Sequence, residues 1–263
     1  MSKIYDVDFI QSLLIKCGQK SLKSQTKIKI FKKDQNSKEL VTNVDIDIGS
    51  LIYEQISLKY PDDSIISEDG PNTKNGSNSF VWYIDPLDGT TNYIHRLPFF
   101  AISISRYNKI KSAFLSSGVY IPFFKQLFIA SGRDLVKYNG NQISVSNNKK
   151  LEDSLVLTGM SHSVKEHSNE VKKFIKISSI SSGTRRTGSA AFDLCYVAAG
   201  FADAYYHFNL KSWDMAAGCH ILKNAGGKIS NISSEDNFSL SENTLLATNG
   251  FLHNKLWLEL QKQ

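Results

Sequence analysis

The sequence predicts an α+β fold in which helices and sheets stack as layers, and three observations carry that expectation. Two stretches near the N-terminus repeat apolar residues at helical spacing, a run of short β-type segments follows, and the second half mixes strands with helices. In chain order, Phe9, Ile10, Leu13, Leu14 and Cys17 mark the first amphipathic helix. The basic stretch "KIKIFKKDQNSK" (27–38) carries one aromatic residue, so it lacks the interleaved stacking platforms of a single-strand nucleic-acid binder and reads as a mobile loop. Ile48, Leu51, Ile52 and Ile56 mark a second helix, which Pro61 stops.

Strands are expected at 64–67, 80–84, 99–107, 112–121 and 126–131, each bounded by turn residues, with "PNTKNGSNS" (71–79) as a polar loop. Beyond them come strands at 154–159, 202–208 and 244–250 and helices near 164–177, 188–200, 214–225 and 251–261. Composition across 139–153 marks a boundary within one 263-residue unit, between an N-terminal half (1–145) and a C-terminal half (146–263).

The length suffices for a sizeable core without disulfides. Three cysteines, Cys17, Cys195 and Cys219, with no Cys-x-x-Cys spacing suggest neither a disulfide framework nor a zinc ribbon, and read as core residues of a cytoplasmic protein. The N-terminal segment lacks the apolar core and cleavage site of a leader, and no stretch approaches a membrane span. The net charge of +6 is scattered, as on a solvated surface.

The chemistry concentrates in "IDPLDGTTNY" (84–93). Carboxylates at Asp85 and Asp88 repel each other unless a positive group stands between them, and a metal ion is the first candidate. Mg²⁺ prefers oxygen ligands and keeps waters, which suits a few carboxylates meeting a phosphate. Pro86 stiffens the turn, the Leu87 carbonyl can join the carboxylates, and the N–H groups of Gly89, Thr90 and Thr91 can face an anion. Alone, an Asp-x-x-Asp pair is more often a turn or a helix cap.

The longer string "DPLDGTTN" resembles the metal-binding signature of the inositol monophosphatase family, within the lithium-sensitive, Mg²⁺-dependent phosphatases. "VTNVD", "SEDG", "RRTGSAAFDLCYVAAG" and "WDMAAG" stand in the family's order, so the likeness runs from about residue 39 to 227, especially to bacterial members of the SuhB type. It implies an α/β/α/β/α sandwich and hydrolysis of a phosphate ester by direct attack of a metal-activated water.

By the same resemblance Glu68, with Asp69 beside it, Asp85, the Leu87 carbonyl, Asp88 and Asp214 hold Mg²⁺, and Asp45 orients the Thr90 hydroxyl, which orients the attacking water. Without the family, Asp45 reads as a cap of the second helix and Asp214 as a first-turn acid of a late one. Substrate contacts fall to Asp88, Gly89, Thr90, Thr91, Asp214 and position 207, where the usual acid is His207. An imidazole there weakens the hold on a polyol and tolerates a more negative substrate; alternatively His207 ends a strand and faces solvent. Lys32, Lys33 and Lys38 are all candidates for the family's loop lysine. The implied substrate is inositol monophosphate or a related small polyol or sugar phosphate. Fructose 1,6-bisphosphate or 3′-phosphoadenosine 5′-phosphate is the alternative.

The resemblance further implies a homodimer, lithium inhibition and a possible binding role in transcription or ribosomal RNA synthesis. Other hydrolase chemistries find little support. Ser161-His162-Ser163 lacks the Gly-x-Ser-x-Gly elbow, no P-loop is present, and no histidine pair has zinc spacing.

Overall fold

Alternation of apolar side chains along the strands, one residue to each face, decides how this chain layers. The computed structural model describes residues 6–32, 39–68, 73–161, 165 and 168–262. The chain opens with α1 (Val7–Ser24), β1 (Ile30–Lys32), β2 (Leu40–Thr42) and α2 (Asn43–Lys59), then β3 (Ser64–Ser67), β4 (Phe80–Asp88) and the one-turn α3 (Thr90–Ile94). A meander follows: β5 (Ala101–Asn108), β6 (Ala113–Ile121), β7 (Gln126–Ser131), β8 (Leu135–Tyr138) and β9 (Asn141–Gln142). The remainder is β10 (Leu155–Thr158), α4 (Asn169–Ile180), β11 (Gly183–Arg185), α5 (Ala190–Ala198), β12 (Ala204–His207), α6 (Ser212–Asn224), β13 (Lys228–Ser230), β14 (Leu245–Thr248) and α7 (His253–Gln261).

Strands β3 to β9 form a seven-stranded sheet in sequential order, and a five-stranded sheet runs β11-β10-β12-β14-β13. On the first sheet's outer face Ile10 and Leu14 of α1 and Ile48, Ile52 and Ile56 of α2 pack on Trp82, Ile84, Ile102 and Ile104. On its inner face Ala101, Val119 and Phe128 meet Phe192 of α5 and Met215 and Cys219 of α6. Helices α5 and α6 are shared with the second sheet, whose Leu157, Tyr205, Leu245 and Ala247 join that central core. The intervening strand residues Val156, Ala204, Tyr206 and Leu246 point away, onto Ile177 of α4 and Leu256 and Leu260 of α7. The result is the expected five-layer α/β/α/β/α sandwich.

The elements follow the sequence pattern, with shifted ends. Helices expected at 164–177 and 188–200 occupy Asn169–Ile180 and Ala190–Ala198, and the strand expected at 80–84 continues to Asp88. The basic stretch read as a loop is corrected in part. Ile30–Lys32 pairs antiparallel with Leu40–Thr42, while residues 33–38, Lys33 and Lys38 among them, lie outside the described residues. That strand escapes a pattern search because all three of its residues are exposed and none alternates. The three cysteines are buried. Among the described residues no helix is long and apolar enough to cross a membrane.

Candidate active site

The site grows from an irregularity at the end of β4. Val81 and Tyr83 face Ala216 of α6, Trp82 and Ile84 face the α1/α2 layer, and Asp85 therefore continues the α6-facing series. In an unbroken strand Asp88, three residues on, would face the opposite way. Pairing with β5 runs Asp85↔Ser103 and then Asp88↔Ala101, so β4 holds one extra residue there. This bulge turns Asp88 back to the face of Asp85 and sends Leu87 into the α1/α2 core. Leu87 N–H donates to Asp85 Oδ1 at 3.0 Å, closing the turn around Pro86.

Three neighbours complete the acidic group. Glu68 directly follows β3, which runs parallel to β4, and its N–H donates to Ile84 O at 3.2 Å. Its carboxyl thereby comes within hydrogen-bond reach of Asp85. Asp88 Oδ2 accepts from Ser189 Oγ at 2.7 Å and from Ala191 N–H at 2.6 Å, anchoring it on the N-terminus of α5. Asp214 is the third residue of α6, and its Oδ2 accepts from Lys211 N–H at 2.7 Å. Its first-turn role and its place in the site thus coexist.

These charges are costly as they stand. Burial, followed by the charges of Glu68, Asp88 and Asp214, holds the Asp85 carboxyl well above the usual carboxylate range. Burial pushes Asp88 up to about 6 even though Ser189 and Ala191 oppose the shift. A cluster of this kind calls for a cation, and its all-oxygen donor set suits a hard divalent ion. Among the described residues no three acidic, histidine or cysteine side chains enclose an ion by themselves.

Beside the acids stands a buried pair. Thr42 caps α2, accepting at Oγ1 from Val44 N–H and Asp45 N–H, and Asp45 Oδ2 accepts in return from Thr42 N–H at 2.9 Å and from the Thr42 hydroxyl. Asp45 is therefore the return arm of a capping box and not the cap itself. Its other oxygen, Oδ1, accepts from Thr90 Oγ1 at 2.8 Å, and the same hydroxyl lies 3.0 Å from Leu87 O. Gly89 makes the approach possible with φ at +91°, where a Cβ would meet Phe99 O at 2.8 Å.

One cavity of about 520 Å³ is lined by Glu68, Asp85, Leu87, Asp88, Gly89, Thr90, Thr91, His207 and Asp214, so the structure brings these expected residues together. Asp45, 1% exposed, stands behind Thr90 and does not line the cavity. Asp69 lies outside the described residues, and Lys32 ends β1. The reading of His207 as a solvent-facing strand end is corrected: it does end β12, but it is 8% exposed and forms part of the cavity wall. Sequence reasoning missed Ser189 and Thr42, which hold Asp88 and Asp45, although each stands as a hydroxyl residue at a helix start. It also missed Gly159 and Lys211 in the lining, where no local pattern marks them, and gave Arg186 no place in the site although it stands in the "RRTG" stretch.

Carboxylates at one end of a small cavity and a fixed hydroxyl beside them form a site that can take a phosphate ester together with a cation. The sequence matches the inositol monophosphatase family over residues 5–263, and the chain belongs to that family of phosphatases. The inositol-1-monophosphatase of Synechocystis sp. is 37% identical over 219 residues, covering 83% of this chain and 75% of its own. Nus factor SuhB of Escherichia coli K12 is 36% identical over 210 residues, covering 80% and 78%. The chloroplastic phosphatase IMPL1 of Arabidopsis thaliana is 34% identical over 226 residues; the match takes in 83% of this chain but only 60% of that longer one. Among solved structures, the extragenic suppressor protein suhB of Bartonella henselae superposes with a TM-score of 0.90 at 28% identity, over 97% of this chain and 98% of that one.

Proposed function

We propose that the chain is a Mg²⁺-dependent phosphomonoesterase that hydrolyses inositol monophosphate or a related small polyol or sugar phosphate. The observation that carries this reading is the Thr90 hydroxyl, clamped between Asp45 Oδ1 and Leu87 O at the edge of a cavity whose acids need a cation. Glu68, Asp85, the Leu87 carbonyl, Asp88 and Asp214 are the residues that would hold Mg²⁺. When bound, the ion lowers the pKa of a water and shields the charge on the phosphoryl oxygens.

The chain's own groups do the positioning. With its proton directed to Asp45, the Thr90 oxygen accepts a hydrogen bond from the attacking water, and Glu68 holds that water from the other side. The water oxygen bonds to phosphorus as the ester P–O bond breaks; the attacking water gives a proton to Glu68, which returns it to solvent, and the leaving alkoxide takes one from a solvent water. N–H groups of Gly89, Thr90 and Thr91 receive phosphate oxygens; because α3 is a single turn, the donors count for more than any helix dipole. Asp214 and His207, both in the cavity wall, would grip the alcohol part of the substrate.

Phosphate release from inositol 1-phosphate, glycerol 2-phosphate, fructose 1,6-bisphosphate and 3′-phosphoadenosine 5′-phosphate, with and without Mg²⁺, tests the proposal. Mg²⁺-dependent release that disappears in Asp88→Asn supports it, and no Mg²⁺-dependent release from any of the four sinks it. Lithium inhibition is expected from competition at the sub-site of Asp85, Asp88 and Asp214, and a flat Li⁺ titration counts against that sub-site. A homodimer in light scattering and a cytoplasmic location belong to the same reading.

A second reading comes from the 36% identity to a relative named as a Nus factor. It gives the protein a binding partner in the transcription machinery, separate from hydrolysis. Pull-downs with the wild type and Asp88→Asn decide it: a partner kept by the inactive variant supports a separate role, and no partner with either removes it.

A further inference from the structure

The acids do not line the whole cavity. Arg186, in the loop before α5, and Lys211, directly before α6, also line it, and both are exposed. Among the described residues neither makes an ion pair. A guanidinium and an ammonium that make no ion pair among the described residues can attract an anion to their part of the wall once a bound cation offsets the acids of the same lining.

His207 adds to this by bringing no negative charge. Asn209 N–H donates to its Nδ1 at 2.9 Å, which fixes the ring's orientation against the wall. A Cβ on Gly159, another residue of the lining, would come within 2.4 Å of Nε2, so the ring is held against backbone. Of the remaining acids in the lining, Asp193 is tied to Thr187 Oγ1 at 2.7 Å, and Glu39 stands just before β2.

We propose that this cavity selects phosphomonoesters carrying a second anionic group, a carboxylate or a second phosphate, which Arg186 and Lys211 hold while the ester phosphate lies at the carboxylate end. A neutral polyol tail gains nothing from two cations, whereas an anionic tail gains from both. The inference rests on the phosphomonoesterase reading and shifts its preferred substrate from a neutral polyol phosphate towards one with an anionic tail.

Matched pairs test it. 3-Phosphoglycerate and glycerol 3-phosphate differ in a carboxylate against a hydroxymethyl group. Fructose 1,6-bisphosphate and fructose 6-phosphate differ in a second phosphate. For the full chain in Mg²⁺ at low ionic strength, kcat/KM should favour the anionic member of at least one pair by about tenfold, the scale of two partly exposed charge contacts. The preferred pair identifies the second anion. The ratio should shrink at high salt and fall towards one in the Arg186→Ala/Lys211→Ala double variant. His207→Glu should lower it as well. A wild-type ratio of one or less for both pairs, or a ratio the double variant leaves unchanged, overturns the proposal. If no substrate is turned over, the phosphatase reading fails by itself. Titration calorimetry on the same pairs in the same buffer then reads affinity alone, with the same ratios expected and the same outcomes decisive.

Discussion

Asp45 and Thr90 are 45 residues apart in the chain, yet one hydrogen bond makes them a unit. Asp45 is also fixed by Thr42, so losing the Thr90 hydroxyl leaves the carboxylate with partners and α2 with its cap. Thr90→Ala is therefore expected to lower kcat by roughly 10²- to 10⁴-fold, the usual worth of a positioned proton-transfer group, while the thermal midpoint moves little. Thr90→Ser should restore most of the rate. Equal loss in both variants would mean that the methyl group matters, and not the hydroxyl. Gly159 offers a test of the opposite wall. A Cβ there would lie 2.2 Å from His207 Cδ2, so Gly159→Ala must push the imidazole aside. We expect KM to rise several-fold with kcat less affected, and an unchanged KM would remove His207 from the substrate wall.

At the scale of elements, the bulge at the end of β4 turns a sequence motif into a site. The sequence makes Asp85, Asp88 and the glycine after them legible, because two carboxylates around a proline demand an explanation. It does not reveal that they share a face, since that depends on the register against Ser103 and Ala101 of β5. Long amphipathic helices were legible by period, and so were strands such as Gln126–Ser131, whose turns bound them clearly. Short strands such as Gly183–Arg185 and Lys228–Ser230 were not, because three residues paired only at the sheet's edge leave no pattern. Gly89 tests the hinge after the bulge. At φ +91° and with Phe99 O in the way, Gly89→Ala strains the backbone, and Asn92 anchors that loop through Phe99 O and Thr187 O so that it cannot relax freely. A cost of about 1–3 kcal/mol is expected, read as a lower denaturation midpoint. A variant as stable as the wild type would show that the loop can move.

For the molecule as a whole, two sets of buried groups pull stability in opposite directions with pH. Burial lowers His220 and His253 to about 4, below the roughly 6.5 of an unfolded histidine. Their contribution is complete above the unfolded value and is lost as pH falls through about 4. Asp85 and Asp88 are raised, Asp88 to about 6, above the roughly 3.9 of an unfolded aspartate. Their contribution is complete below the unfolded value and is lost as pH rises through the folded one, so the metal-free site is penalised at neutral and alkaline pH. A divalent ion bound among these acids removes that penalty, and it binds better once they have lost their protons. The rise in thermal midpoint on adding Mg²⁺ to chelator-treated protein should therefore be small at pH 5 and grow towards pH 8. At a hundredfold excess over Kd the stabilisation approaches about 2.7 kcal/mol. Asp85→Asn should flatten the Mg²⁺ response, and His220→Gln, which loses buried contacts to Ser117, Gly132 and Phe114, should lower the metal-free curve throughout while making its acid limb shallower. A Mg²⁺ shift of equal size at both pH values would mean that the ion binds elsewhere than among these carboxylates.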